Sequence, residues 1–223
     1  MEFMNIKILY DNTAKTGFLS GWGFSALVDN STLFDMGENA ESLLANMCAF
    51  GVAPEQIKRV VLSHEDWDHV GGMSLLSQFG DVQVYVPSSF SKSIKSEIRS
   101  FNPDADIVQI KNALEVEPNL VVTEELGIVR EESSLAVRSS QGVVLIVGCS
   151  HPGLDKIMSR VVSEYGPIRA VVGGFHGFRK LKALVDVPII VPTHCTKKAK
   201  DIVKLYPEQA RLVSAGTELE LEE

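Results

Sequence analysis

The chain has 223 residues, of which 45% are hydrophobic and 22% are charged, and its formal net charge is −8. This length suits one domain with a sizeable core, and the composition is ordinary for a globular protein. The acidic balance makes nucleic acid a disfavoured partner, and no apolar stretch approaches the ~18 residues that a membrane helix needs.

The first seven residues lack a basic region followed by an apolar one, so no signal peptide is expected. The expected compartment is therefore the cytoplasm, and the expected partner is a small-molecule substrate. No pattern in the chain predicts an oligomeric state.

Apolar runs and turn residues predict the first elements. A strand is predicted over residues 5–10, and a hairpin over 24–34 with its turn at Asp29-Asn30-Ser31. A helix is predicted from about Asn39, and Cys48 falls at helical spacing with apolar residues. This spacing predicts core packing for the Cys48 thiol.

The middle of the chain alternates the same patterns. Strands are predicted over 59–63 and 82–86, and an apolar stripe predicts a helix that ends at Asn102-Pro103. The pattern from about 103 to 132 is irregular and acidic. We predict a single domain over 1–223 with a specificity insert around 88–132.

The last part of the chain predicts further strands and helices. Strands at 135–137 and 143–147 are followed by a helix at 154–162 and a β-α-β unit over 168–191. A helix near 197–206 and two terminal strands close the chain. Helices between strands, together with the early hairpin, predict an α+β protein with layered mixed sheets.

One segment carries the clearest chemical pattern. His64-Glu65-Asp66-Trp67-Asp68-His69, followed by Val70-Gly71-Gly72, places two imidazoles and three carboxylates within six residues. Nitrogen and oxygen donors of this kind are the ligands that divalent metals such as zinc prefer, and a strand end gives them a rigid base. The segment predicts a metal site, with Trp67 packed against the protein.

This segment resembles the motif of the metallo-β-lactamase superfamily, His-x-His-x-Asp-His with Gly-Gly close behind. Asp66 departs from it, because the family usually has its second histidine there. Further matching segments follow in the family's order: Leu33–Gly37, Gly148–His151, Gly173–His176 and Pro192–Thr196. The resemblance is to a branch of metal-dependent hydrolases that includes the methanopterin-pathway (ribofuranosyl)aminobenzene 5′-phosphate synthase. It implies a four-layer αβ/βα sandwich with the ligands on loops at one edge.

The resemblance also implies two neighbouring metal ions. The implied ligands of the first ion are His64, Asp66 and His151, and those of the second are Asp68, His69 and His194. Zinc is the expected metal, and manganese or iron are alternatives because Asp66 adds a harder oxygen donor and a negative charge. Asp68 is the expected catalytic residue, since it could orient a water while binding the second ion.

Other residues are candidates for substrate contact or for support of the ligands. Cys149 stands at or beside the place of the family's bridging aspartate, either as a thiolate ligand or as a packed thiol. His176 follows two glycines, which leaves a ligand role and a structural role open. Asp35 matches the family's supporting aspartate. The remaining candidates are Asp11, Asn12 and Trp22.

The family's upstream histidine is absent, because Arg130-Glu131-Glu132 stands in that region. The expected function is hydrolysis of an ester, amide, thioester or phosphoester by a metal-bound hydroxide. Alternatives are a methanopterin-pathway-like phosphoribosyl synthase or transferase, an iron-dependent oxidoreductase, a cysteine hydrolase using Cys149 or Cys195, and a non-catalytic metal-binding protein.

Overall fold

The computed structural model describes residues 3–222, and two mixed sheets dominate it. The first sheet has the strand order β13-β1-β2-β3-β4-β5-β6. Its strands are β1 (Phe3–Tyr10), β2 (Ser25–Val28), β3 (Thr32–Phe34), β4 (Arg59–Val61), β5 (Gln83–Pro87), β6 (Asp106–Ile110) and β13 (Thr217–Glu222). The strands from β3 to β6 run parallel to one another, so their carboxyl ends share one edge.

The second sheet has the order β12-β11-β10-β9-β8-β7. Its strands are β7 (Leu114–Glu117), β8 (Leu120–Val122), β9 (Leu135–Ser139), β10 (Gly142–Val147), β11 (Ile168–Gly174) and β12 (Ile189–Thr193). β10, β11 and β12 are parallel, and the loops that follow them also lie at a common edge.

The helices cover the outer faces of the sheets. They are α1 (Ala40–Ala49), α2 (Trp67–Val70), α3 (Lys92–Phe101), α4 (Leu154–Tyr165) and α5 (Ala199–Leu205). In the described residues 3–222, no helix combines the length and the apolar character that a membrane span requires.

Three apolar clusters hold the layers together. One lies between the sheets and includes Ile8 and Phe34 of the first sheet and Ile146 of the second. The other two lie outside the sheets, one beneath α1 and α3 and one beneath α4 and α5. The order helix, sheet, sheet, helix confirms the predicted four-layer α+β sandwich.

Several local predictions are confirmed by hydrogen bonds and backbone angles. The hairpin of β2 and β3 turns through Asp29 and Asn30, whose φ angles are 46° and 58°. Asn39 caps α1, and its side chain accepts a hydrogen bond from Ser42 N at 2.9 Å. In β13 the leucines Leu219 and Leu221 are buried and alternate with exposed glutamates.

Other predictions need correction. Cys48 is exposed, because α1 buries Leu43, Asn46 and Met47 instead. The helix of the β-α-β unit is a short 3-10 turn, Leu181–Leu184. Only one of the two terminal strands is present among residues 3–222, and Ala210 forms just an isolated bridge with Ile190. The segment 88–132 contributes α3 and β6 to β8 to the layers, and its role as a specificity insert stays a prediction.

Candidate metal centre

All five histidines of the chain lie together at the edge where the two sheets meet. Ring centroids are 4.2 Å apart for His64 and His69, 4.7 Å for His64 and His151, 5.1 Å for His69 and His194, and 5.2 Å for His151 and His176. These histidines follow β4, β10, β11 and β12, except for His69, which lies in α2. Residues more than 100 positions apart in the sequence therefore form one cluster.

The described residues of the cluster contain five overlapping groups of three possible ligands; three of them include Cys149, and the other two form two separate sets of histidine and aspartate. One set is His64, Asp66 and His151, and the other is Asp68, His69 and His194; within each set the ligand atoms lie within 4.8 Å of one another. The sequence predicted these same sets. The structure brings the residues of each set together, and their role as metal ligands stays a proposal.

Three of the four predicted ligand histidines have Nδ1 within hydrogen-bond distance of a second side chain, whereas His151 Nδ1 lies 3.3 Å from Glu132 Oε2 without a hydrogen bond of acceptable geometry. His69 Nδ1 lies 2.7 Å from Asp35 Oδ2, and His194 Nδ1 lies 3.0 Å from Asn12 Oδ1. Both partners are acceptors, so each Nδ1 carries the proton and each Nε2 keeps a free lone pair. This is the tautomer that a histidine needs when it binds a metal through Nε2.

The same logic applies to His64 through a relay. Ser63 Oγ donates to Asp35 Oδ2 at 2.8 Å, so it accepts from His64 Nδ1 at 2.8 Å. The Nε2 atoms of His64 and His194 are buried and make no hydrogen bond of acceptable geometry, although they lie 3.5 Å from Asp66 Oδ2 and 3.1 Å from Asp68 Oδ2. Buried nitrogens facing carboxylates without a hydrogen bond fit a divalent cation between them.

Asp35 supports two parts of the centre at once. It is fully buried at the end of β3 with a left-handed φ of 55°, and its two oxygens accept from Ser63 N and Ser63 Oγ. Burial raises the pKa of Asp35 to about 7, against the hydrogen bonds from Ser63. Asp35 thus contacts His69 directly and His64 through Ser63, and its role in supporting metal ligands stays a prediction.

The two aspartates of the ligand sets are ionised. The contact with His64 holds the pKa of Asp66 below its usual range. For Asp68, burial would raise the pKa, but the contact with His194 holds it well below its usual range. Both carboxylates are therefore available as anionic donors at neutral pH.

Glu132 is a functional residue that the sequence did not predict. One of its oxygens accepts from the backbone N–H groups of Gly148, Cys149 and Ser150 at 3.1, 3.0 and 2.9 Å. The other accepts from His151 N at 3.0 Å and lies 3.3 Å from His151 Nδ1. Burial opposes ionisation, but these contacts lower the pKa of Glu132 to about 2.

Glu132 therefore shapes the loop that carries Cys149 and His151. The family pattern predicts a metal-binding histidine in this region, and it gives no indication of an acceptor for backbone hydrogen bonds. The feature of the sequence that points to Glu132 is its place directly before the buried strand segment Ser133–Val137. A carboxylate at such a position needs several donors, because an unpaired charge cannot be buried.

Cys149 lies close to both ligand sets, and its correspondence to the family's bridging carboxylate stays a prediction. Its Sγ atom is 3.2 Å from His69 Nε2, and it also lies within 4.8 Å of ligand atoms of His64, His151 and His194. The contact with Cys195 and burial raise the pKa of the Cys149 thiol. The choice between a thiolate ligand and a packed thiol stays a prediction.

The remaining predicted residues also lie around the centre. Asp11 Oδ1 accepts from His194 N at 2.7 Å, and Asn12 Nδ2 donates to His194 O at 3.0 Å, so the end of β1 fixes the His194 loop. Trp22 is half exposed, with its ring 5.2 Å from the His194 ring. The packing predicted for Trp67 is wrong, because 59% of this residue is exposed.

Positively charged side chains lie at the mouth of the centre. Arg130 pairs with Asp66, and Lys197 is exposed beside His176, whose carbonyl accepts from Lys197 N at 2.9 Å. Burial and the neighbouring charges of His151, Lys197 and Arg130 lower the pKa of His176. Glu65, Asp66 and Glu131 line the same small cavity as Arg130, so the mouth carries charges of both signs.

Two cavities adjoin this mouth. A small one of about 80 Å³ lies between Asp66, Phe90 and Arg130. A larger open groove of about 590 Å³ runs along α4 past Pro152 and Ile128, but no residue of the two ligand sets lines it. The larger groove is adjacent to the histidine cluster through the loop that carries His151 and Pro152.

Comparisons with known proteins agree with this geometry. The sequence pattern of the metallo-beta-lactamase superfamily matches residues 25–194. An uncharacterized protein of Methanocaldococcus jannaschii is 28% identical over 86% of this chain and 90% of its own length. The 7,8-dihydropterin-6-methyl-4-(beta-D-ribofuranosyl)-aminobenzene-5′-phosphate synthase of the same organism is 23% identical over 89% of this chain and 90% of its own.

A solved structure extends the similarity to the whole fold. Tm1679, described as a metal-dependent hydrolase of the beta-lactamase superfamily, superposes with a TM-score of 0.83 and 29% identity. The match covers 99% of this chain and 100% of that one.

Proposed function

The chain belongs to the metallo-β-lactamase superfamily, and we propose that it is a metal-dependent hydrolase of small anionic esters, phosphoesters above all. The observation that carries the proposal is the pair of ligand sets with buried Nε2 atoms of His64 and His194 that lack hydrogen bonds. The relative Tm1679, a metal-dependent hydrolase by description, supports the same class.

The two sets would hold two divalent ions, and zinc is the metal that we expect. Such ions lower the pKa of bound water and polarise a carbonyl or phosphoryl oxygen. Asp35, Ser63, Asn12 and Glu132 keep the four ligand imidazoles oriented, so that little reorganisation is needed during the reaction.

Asp68 is the proposed catalytic residue. Its pKa is held well below the usual range, so its carboxylate is ionised at neutral pH and accepts a hydrogen bond from the attacking water. Its Oδ2 atom lies 3.1 Å from His194 Nε2, which places it within the second ligand set. With the ions bound, this hydrogen bond would orient the water toward the substrate.

The two cationic side chains at the mouth, Arg130 and Lys197, support an anionic substrate. Lys197 and Arg130 carry permanent charges beside His176, and each can donate charge-assisted hydrogen bonds to phosphate or carboxylate oxygens. Among the ester, amide, thioester and phosphoester substrates that the fold can serve, this charge favours phosphoesters. Trp22 beside His194 offers an apolar ring face for the leaving group.

The test combines metal analysis with a substrate panel. Protein purified without a chelator or a histidine tag should hold close to two equivalents of metal and should hydrolyse a phosphomonoester or phosphodiester faster than a carboxylic ester, thioester or amide. Asp68→Ala should abolish turnover while the fold stays intact, whereas Asp81→Asn, at an exposed aspartate, should leave turnover unchanged. Full activity of Asp68→Ala would contradict the mechanism, and metal without turnover on any substrate would favour a non-catalytic metal-binding protein.

A second candidate function is transfer with a phosphoribosyl substrate. It is favoured by the similarity to the M. jannaschii synthase over most of both chains. The cationic side chains Arg130 and Lys197 suit such a substrate equally well. Product analysis with a phosphoribosyl compound in the presence and absence of an aromatic amine distinguishes the two, because only a transferase gives a product that depends on the amine.

A further inference from the structure

Two cysteines meet at the floor of the metal centre. The Sγ atoms of Cys149 and Cys195 lie 3.2 Å apart, and both residues are free thiols. Cys149 follows β10 and Cys195 follows β12, so the strand β11 runs between them. The contact links two loops that each carry predicted ligands, His151 and His194.

The backbone at Gly174 makes this contact possible. A Cβ atom at position 174 would lie 2.4 Å from the backbone oxygen of Gly148, 2.7 Å from Cys195 Sγ and 3.4 Å from the Cα atom of Cys149. Any side chain there would occupy the space in which the two sulfur atoms meet. The proposed hydrolytic mechanism does not use this pair of thiols.

We propose that Cys149 and Cys195 form a disulfide on oxidation by a peroxide and that this bond disables the metal centre. The Cys195 thiol is partly exposed, so it reduces hydrogen peroxide first and becomes a sulfenic acid with release of one water. The buried Cys149 thiol then attacks that sulfur, forms the S–S bond and releases a second water. A dithiol reductant returns both cysteines to thiols and is itself oxidised to a cyclic disulfide.

The disulfide affects the metal centre by displacing the loops that carry His151 and His194. Cys149 Sγ lies 3.2 Å from His69 Nε2 and faces both ligand sets. Closing the S–S bond pulls Cys149 and Cys195 together, and each neighbours a ligand loop: Cys195 follows His194 directly, and Cys149 lies two residues before His151. The displaced loops hold metal more weakly, by about the 10- to 100-fold that loss of a ligand's support costs.

Exposed Cys48 provides an internal reference, because it lies on α1 and not in the centre. Two samples, metal-loaded protein and chelator-treated protein, are each exposed to hydrogen peroxide, denatured, alkylated and digested for mass spectrometry. We expect a linked peptide pair containing Cys149 and Cys195, an alkylated Cys48, release of metal to a chromogenic chelator, and recovery of both thiols with dithiothreitol. Cys48→Ser should behave like the wild type.

The decisive variant is Cys195→Ser, with Cys195→Ala as a second variant in case the first does not fold. Neither can form the bond, so each should keep after peroxide treatment the metal that it held before. Three outcomes would overturn the inference: both thiols survive peroxide, the linked pair includes Cys48, or the disulfide forms without a change in metal content. The metal binding and turnover measured before oxidation test the proposed function separately, so the two can fail independently.

Discussion

Replacement of Glu132 by glutamine tests whether a buried carboxylate holds the ligand loop. Glu132 accepts backbone hydrogen bonds from Gly148, Cys149, Ser150 and His151 through its two oxygens. Both oxygens accept, so glutamine in either orientation turns its NH₂ group toward at least one N–H donor. The substitution therefore removes the charge and leaves buried donors unpaired while the side-chain volume stays almost constant.

The magnitude follows from the pKa of Glu132, which falls from an ordinary value of 4.5 to about 2 in the folded protein. A shift of this size corresponds to about 3 kcal/mol of folding free energy at neutral pH. Since the folded pKa is the lower one, this contribution is complete above pH 4.5 and is lost as the pH falls toward 2. Glu132→Gln should therefore cost about 3 kcal/mol at pH 7, and the difference from wild type should shrink by roughly 2 kcal/mol by pH 3.

The assay is urea unfolding of chelator-treated protein at several pH values, so that metal binding does not add to the measured stability. Glu131→Gln, at the neighbouring and partly exposed glutamate, is the matched control and should change stability by less than ~0.5 kcal/mol at every pH. A Glu132→Gln difference that stays constant with pH, or that is below about 1 kcal/mol at pH 7, would refute the reasoning.

Three further predictions concern the supports and the mouth of the centre. Asp35→Asn weakens the hydrogen bond that holds His69 Nδ1, so the metal affinity measured in competition with a chromogenic chelator should fall about 10- to 100-fold. An unchanged affinity would show that Asp35 does not orient His69. Gly174→Ala brings a Cβ atom to within 2.4 Å of the backbone oxygen of Gly148 and 2.7 Å of Cys195 Sγ, so overpacking should destabilise the protein by about 1–3 kcal/mol in urea unfolding. A variant as stable as wild type would mean that the loops shift without cost. Lys197→Ala removes a charge-assisted hydrogen bond to the substrate, so it should raise KM for a phosphoester about tenfold or more with little change in kcat. KM for an uncharged carboxylic ester should stay the same. Equal changes in KM for both substrates would count against an anionic subsite.

The sequence by itself determined the elements and the chemical character of the centre. Local patterns are enough for this, because side-chain periodicity and turn residues act over a few positions. The hairpin through Asp29 and Asn30, the cap at Asn39 and the strand before His64 all follow such patterns. The family motif then supplied the order in which the ligand segments occur, and the four-layer sandwich followed from it.

Local periodicity failed where a tertiary contact decided the outcome. In α1 the polar residue Asn46 is buried, because its amide donates to Leu9 O and Leu19 O. Cys48, two residues later, is exposed. Trp67 lies at the first position of the short helix α2, where no neighbouring element covers it, so it is exposed despite its size. Neither outcome is written in the spacing of apolar residues.

Only the tertiary structure decided which side chains meet across the sheet edge. The contacts of Glu132 with the His151 loop, of Arg130 with Asp66 and of Cys149 with Cys195 join segments that are 16 to 64 residues apart. Such contacts depend on how the loops after β4, β10 and β12 converge once the two sheets pack, because the burial of their apolar faces fixes the loop positions. The sequence carries the ligands, and the packing of the sheets sets the supporting contacts that orient them.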